Sequence, residues 1–538
     1  MIRGFRQIAV LTAISRVFGL VRDICYSHFF GADKLLDAWI IAFRIPNLSR
    51  RLFGEGAASA SLIPVYSKTL HEDAEQARNL ANTVLTALFV VLAGLVLLGE
   101  AGIWIYYKCC AVHGETELIL SLSAIMLPYT IAICIVAILA GILNVHRHFA
   151  APAAAPIVLN LFIIATIVVT GSILDIGARQ QFFVLANAIL VAGVVQLLMQ
   201  TGPLRRAGVR IRPAWEVRSK AFIRILLMMA PMIVGLTVTQ INTLADDLIA
   251  WWFSGSEEKG QFFMLLGRQI EYPMWRGSVS HLYYAQRLYQ LPLGVFGISL
   301  ATAIFPVMSA NAAAGDYHSL CKSIRNGLGA TIFIAVPATV GLIIIAQPLI
   351  AAAFQHGEFE AADTKMVAFT LAFYAAGLCG YFAQQILARA FFSMEDSKTP
   401  MKSACLALAV NFLLNLTLIW LLGRAGLACA TAICSYLQVV ILLLVLRKRL
   451  GNGIFEDLGP TVVNSVLGTA ILAVCGLILV KLLAPLPQTV AFNIVRLLII
   501  VPVAAGVYWG IAAVRKEQML ALVKRPAKTM QASENAQK

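Results

Sequence analysis

Charge is scarce in this sequence. Of 538 residues only 13% are Asp, Glu, Lys or Arg, about half the share found in a soluble chain. So few charges cannot clothe a water-facing surface. The 60% apolar content excludes disorder, whose signature is low hydrophobicity. Acids are scarcer than bases, 27 against 42, giving a net charge of +15. Nucleic acid is not needed to explain that excess, because cytoplasmic loops of membrane proteins are rich in Lys and Arg. Metal and redox motifs are missing too. None of the ten cysteines forms a CxxC pair, and most lie in apolar runs as small packing residues. Cys109-Cys110 is the one oxidation candidate. His146-Arg147-His148 is the one histidine cluster, and no further ligand stands at metal-binding spacing. No GxxxxGK[ST], HExxH or suitably placed GxSxG occurs, so ATP-driven transport within this chain is unsupported. Arg3 and Arg6 precede an apolar stretch as in a signal peptide. Arg16 interrupts it and no cleavage site follows, so the segment reads as an uncleaved first helix.

What is present is apolar length. A bilayer core of roughly 30 Å needs about 20 apolar residues in a helix. Eleven runs of at least 21 residues lack charge: 79–99, 118–146, 148–174, 180–204, 225–245, 288–315, 326–357, 366–388, 403–423, 425–446 and 458–480. A twelfth, 482–514, is broken only by Arg496. Two more, about 7–30 and 34–66, are apolar but repeatedly interrupted. The sequence thus predicts an all-α polytopic membrane protein with fourteen transmembrane helices. With both termini cytoplasmic, 25 basic residues fall inside and eight outside, as the charge bias of loops requires.

An internal repeat organises these helices. Ile138-Leu-Ala-Gly-Ile-Leu143, leading to Pro152, is echoed at an offset of 248 by Ile386-Leu-Ala-Arg-Ala-Phe391, leading to Pro400. Ala42-Phe-Arg44 and Ala285-Gln-Arg287 form a second echo. They are followed by Pro64-Val-Tyr-Ser67 and Pro306-Val-Met-Ser309, with one residue of slip. Two pseudo-symmetric six-helix lobes plus two C-terminal helices follow. The expected divisions are an N-lobe at 1–204, a basic cytoplasmic linker at 205–218, a C-lobe at 219–450, helices 13 and 14 at 451–515, and a basic tail at 516–538. Parallel repeats suit alternating access.

A charge at mid-membrane costs from about 3 kcal/mol upward and marks function. The first two spans hold Arg16, Arg22, Asp23, Asp37, Arg44, Arg50, Arg51 and Glu55, and the eighth begins with Arg287. Asp37, Arg44 and Arg51 are spaced by seven and share a helix face, as do Arg16 and Asp23. Pro46 and the Gly54-Glu55-Gly56 step should bend or break the second helix beside a cavity. Six arginines against Asp23, Asp37 and Glu55 leave a positive site, and guanidinium forks match phosphate oxygens. Arg389 and Arg496 read as snorkelling residues. Asp246 and Asp247, with Asn411, Asn415 and Thr431, are candidates for a cation site or a wet structural role.

Ser15-Arg-Val-Phe-Gly-Leu-Val-Arg-Asp23, Phe30-Gly-Ala32, the block 37–57, the block 283–298 and Phe392-Ser-Met-Glu-Asp-Ser-Lys-Thr-Pro-Met-Lys402 closely resemble the MurJ (MviN) family. That family lies within the multidrug/oligosaccharidyl-lipid/polysaccharide exporter superfamily. The resemblance implies a bacterial inner-membrane flippase for lipid II, the undecaprenyl-diphosphate-linked peptidoglycan precursor. It also implies a cationic cavity between two lobes, with helices 13 and 14 forming a groove for the polyprenyl tail. The family's functional positions fall on Ser15, Arg16, Arg22, Asp37, Asn47, Arg50, Arg51, Glu55 and Arg287. Gln286 departs from the pattern, standing where an Asp often precedes the arginine, and the external loop 254–281 is longer than expected. No enzyme activity or cofactor is implied; the drive would be a coupling monovalent cation or the membrane potential. The expected partners are lipid II, membrane lipids and cell-wall synthesis proteins. Competing readings are an exporter of another polyprenyl-diphosphate oligosaccharide, a drug antiporter, whose cavity should be acidic, and a non-transporting scaffold.

Overall fold

The computed structural model describes residues 2–52, 57–265, 267–456, 458–515 and 519. The Gly54-Glu55-Gly56 step, with candidate Glu55, and nearly all of the tail lie outside the described residues. Among the described residues the chain is all-α apart from two small two-stranded sheets in the 254–275 loop. There β1 (Ser254–Gly255) pairs with β4 (Met274–Trp275), and β2 (Phe262–Leu265) with β3 (Arg268–Glu271).

Among the described residues, ten helical segments are long and apolar enough to cross a membrane, and an eleventh is a pair bent by 43°. That establishes a multi-pass protein, and length and composition alone stop short of fourteen. The first two exceptions have a plain cause. α1 (Ile2–Phe30) carries Arg16, Arg22 and Asp23. α2 (Lys34–Ser49) and α3 (Ala57–Glu72) are two short pieces with Asp37 and Arg44. A long helix at 220–252 is the third.

The chain divides into two compact units. Unit 1 comprises Met1–Trp251, Gly255–Gln269 and Gly357–Phe359, and unit 2 the remainder. The division therefore falls at Trp251, beyond the basic linker where the repeat places the lobe boundary. In unit 1, α1 to α3 are followed by α4 (Ala74–Cys109), the bent pair α5 (Gly114–Met126) and α6 (Tyr129–Val145), α7 (Ala150–Val168), α8 (Ala178–Arg206) and α9 (Lys220–Trp252). Asp73 caps α4 by accepting the Glu75 and Gln76 N–H groups, a standard cure for orphan donors at a helix start. Leu62, Tyr66, Leu80, Ile138, Leu143, Val209 and Phe222 share one core. Trp39, fully buried, donates its indole N–H to the Tyr26 hydroxyl at 3.1 Å and stacks on Phe43.

The 207–219 segment is not a loose linker. Asn82 donates to the Arg210 carbonyl and accepts the Arg212 N–H, both at 3.2 Å. The Ala214 N–H reaches the Thr86 hydroxyl at 3.2 Å, and the Glu216 N–H reaches Thr83 at 3.3 Å. The backbone groups of an irregular segment are thus satisfied by side chains of a helix. Val209 plugs the strap into the core.

Unit 2 holds α10 (Ser278–Pro292), α11 (Ser299–Ala313), α12 (Tyr317–Ile344), α13 (Ala346–Phe354), α14 (Ala361–Ala376), α15 (Leu378–Ser393), α16 (Lys398–Leu422), α17 (Arg424–Leu450), α18 (Leu458–Leu482) and α19 (Val490–Val514). Tyr508 on α19 donates to the Phe333 carbonyl at 2.7 Å and seals a core with Leu472 and Ala504. Arg496 does not simply snorkel. Its guanidinium donates to the carbonyls of Leu483, Ala484 and Leu486 and to Asn493 Oδ1, so it ties the turn that follows α18 to α19.

The repeat reappears as backbone irregularity. Arg147 (φ 60°) and Glu395 (φ 59°), 248 residues apart, are both left-handed. Around them the His148 N–H reaches the Leu143 carbonyl and the Asp396 N–H the Phe391 carbonyl, each at 2.9 Å. This six-to-one closure is the Schellman way of ending a helix. The other echo carries a π-helical turn in each half, beginning six residues after its arginine: Arg50 after Arg44, and Leu293 after Arg287.

Candidate functional site

On α1, Arg22 is pulled into a local network. Its Nε and Nη2 donate to Asp23 Oδ1 at 3.0 and 2.7 Å, and Nη1 donates to Asn160 Oδ1 at 3.1 Å. Asn160, buried on α7, returns its amide N–H to the Ser15 carbonyl at 3.4 Å. Arg16 and Asp23 share a helix face by spacing, but it is the adjacent Arg22 that holds the acid. Arg16 is exposed and makes no ion pair with a described residue.

On α2, Asp37 is buried, Arg44 is half-buried, and Arg51 is exposed. Heptad spacing does not pair them. Arg44 instead forks onto one oxygen of Asp247, a fully buried carboxylate on α9. The other oxygen, Oδ1, has no hydrogen-bond partner among the described residues. Arg51 donates to Gln240, also on α9, at 3.1 Å. Asn47 donates back to the Phe43 carbonyl at 3.2 Å, and Arg50 opens the π-helical turn.

In unit 2, Arg287 is exposed on α10. It donates to the Tyr283 hydroxyl at 3.0 Å and lies 4.6 Å from that ring's centroid. A neutral aromatic orients the cation without cancelling its charge. Gln286 faces inward and donates to the Tyr374 hydroxyl at 3.1 Å, so it anchors α10 to α14. Asn415 donates to Asn411 at 2.9 Å, and Asn411 to the Thr431 hydroxyl at 3.5 Å. Those three candidates form one chain across α16 and α17. Asp246 is buried on α9. No group of three or more His, Cys, Asp or Glu able to hold a metal occurs among the described residues.

In unit 1, Arg16 and Arg51 present exposed guanidinium groups while Arg22 and Arg44 are held by acids; in unit 2, Arg287 presents one of its own. Exposed guanidinium groups of this kind suit phosphate oxygens. Sequence reasoning missed Asn160 and Gln240. Both were visible as amides inside charge-free runs, where polar side chains usually serve as interhelical glue.

A family profile described as "Lipid II flippase MurJ" matches residues 26–516. The chain is 32% identical over 466 residues to a protein named lipid II flippase MurJ from Burkholderia cenocepacia, covering 85% of each. Among solved structures it resembles one titled lipid II flippase MurJ, inward closed conformation. The TM-score is 0.72 at 23% identity, over 94% of this chain and 98% of that one. An inward-facing multidrug resistance MATE transporter of the MOP superfamily is also similar in fold. There the TM-score is 0.62 at 15% identity, over 84% of this chain and 99% of that one.

Proposed function

The chain belongs to the lipid II flippase MurJ family, and from that premise we propose that it carries lipid II from the inner to the outer leaflet of the bacterial cytoplasmic membrane by alternating access. The profile match across residues 26–516 carries this reading. The arginines give it a chemical footing. Guanidinium groups bind diphosphate oxygens through paired, charge-assisted hydrogen bonds. Arg16, Arg50, Arg51 and Arg287 are the first anchors for the diphosphate. Arg22 and Arg44 are released to it from Asp23 and Asp247 as the headgroup enters. Holding a cation against an acid beforehand costs less than burying it bare. Ser15, Asp23, Asp37, Asn47 and Glu55 support or gate the site, and the polyprenyl tail stays in lipid along α18 and α19.

Fourteen spans belong to the same proposal. The eleven segments that qualify by composition, with α1, α2–α3 and α9, make that number and return both termini to the cytoplasm. Six-helix lobes at 1–204 and 219–450 follow from the repeat. Coupling to a monovalent cation or to the membrane potential, and association with cell-wall synthesis proteins, complete the reading.

The test is the fraction of lipid II reachable by an externally added toxin that cleaves it, after rapid inactivation of this protein. That fraction should fall while synthesis continues and lipid II accumulates inside. A constant fraction, in cells with no other flippase, would overturn the assignment. Accumulation of a different polyprenyl-diphosphate oligosaccharide would redirect it, and reduced synthesis would point to a scaffold.

A further inference from the structure

The 205–220 strap presents an unusual surface. Arg205, Arg206, Arg210, Arg212, Arg218 and Lys220 are exposed on it, with Glu216 as the one exposed acid. Among them Trp215 is 59% exposed and Ile211 50% exposed. Val209 is buried and Val217 packs on the same core, so the segment has an inner apolar edge and an outer face of arginine interleaved with tryptophan and isoleucine.

Its position is fixed at both ends. α8, a candidate span, ends at Arg206, and α9 starts at Lys220. The strap therefore lies where a span leaves the hydrocarbon. Its partners Asn82, Thr83 and Thr86 sit about 12–18 Å into α4, at 1.5 Å per residue. α4 has 36 residues, about 54 Å, and so overhangs a roughly 30 Å core.

We propose that this strap is a docking surface for anionic phospholipid headgroups of the leaflet it adjoins. The arginines supply the phosphate contacts, and Trp215 and Ile211 seat at the headgroup–acyl boundary, the depth aromatic side chains favour. The ordinary charge bias of loops asks only for basic residues. It does not ask for a strap whose backbone is hydrogen-bonded to a helix so that its arginines and tryptophan project together.

The experiment uses the full-length protein in bilayers of phosphatidylcholine containing brominated phosphatidylglycerol or brominated phosphatidylcholine. The quenching of Trp215 is isolated by subtracting a Trp215→Phe variant. Trp215 should be quenched several-fold more by the anionic lipid at low salt. Losing one arginine weakens headgroup attraction about fivefold, so Arg210→Gln and Arg212→Gln should each remove most of the preference, and it should fade with added salt. Asn82→Ala with Thr83→Ala leaves every charge in place but removes three of the four bonds that hold the strap's backbone to α4, and it should also reduce the preference. The salt titration of the unmodified protein serves where a variant fails to fold. Equal quenching by both lipids overturns the proposal. An undiminished preference in Asn82→Ala/Thr83→Ala overturns it in favour of bulk charge. Displacement of phosphatidylglycerol by stoichiometric undecaprenyl diphosphate overturns it in favour of a substrate entrance.

Discussion

At the scale of residues, the proposed site is a set of arginines whose partners decide what each can do. Arg16→Ala, Arg22→Ala and Arg287→Ala should each abolish lipid II flipping while the protein still reaches the membrane, since each loses charge-assisted bonds worth about 1.5–3 kcal/mol. Asn160→Leu should weaken flipping less than Arg22→Ala, and it should add nothing to Arg22→Ala in the double variant. An additive loss would show that Asn160 acts elsewhere. Asp247→Ala strands the Arg44 guanidinium and should cost about 3–5 kcal/mol, read as earlier thermal unfolding in detergent. Arg44→Met with Asp247→Leu should recover most of that. Arg496→Ala should also lower thermal stability, because it takes the guanidinium donors from the Ala484 and Leu486 carbonyls in the turn after α18. The arginines themselves were legible in the sequence, since each violates an apolar run. Their partners were not. Helical spacing can propose pairs only within one element, whereas Arg44 and Asp247 are 203 residues apart.

At the scale of elements, the two halves conserve bends more faithfully than side chains. The matched left-handed residues and π-helical turns sit where the sequence echoes had placed similarity, but neither φ sign nor turn type could be read from Arg147 or Glu395, which are not glycine. The α15–α16 connection also carries a pH dependence. Burial opposes the Asp396 charge, but the Thr399 hydroxyl and N–H and the Arg449 guanidinium outweigh it and pull the carboxyl down to about 2. A folded pKa below the unfolded value, about 3.9, stabilises fully above that value and loses the benefit as pH falls toward 2. The thermal-stability advantage of the wild type over Asp396→Asn should be flat above about pH 5 and shrink below about pH 4. An advantage that grew on acidification would refute the account.

At the scale of the molecule, composition alone established a polytopic protein, and its count of spans exceeded what apolar length supports. The shortfall has a physical source for α1 and α2–α3, where charges interrupt the apolar stretch. The same residues that point to function hide the helices that carry them. The proposed orientation places Cys109 and Cys110, both exposed, at the external surface and Ala207 at the cytoplasmic one. An impermeant thiol reagent on intact cells should label the native pair and miss a cysteine placed by Ala207→Cys. The reverse pattern would invert the topology and, with it, the direction of transport.

The strap that ties residues 210–216 to α4 also sets a schedule for biosynthesis. Asn82, Thr83 and Thr86 leave the ribosome some 128 to 133 residues before the backbone groups they hold. At about 5–20 residues per second, those side chains wait on the order of ten seconds for their partners. During that interval the slot for Val209 stands open, and four helices inserted after α4 must assemble around an unfinished core. A nascent chain halted just past Arg206 would therefore present an unfinished core to the quality-control proteases of the membrane, whereas one halted past Ile225 would hold every buried residue of that core.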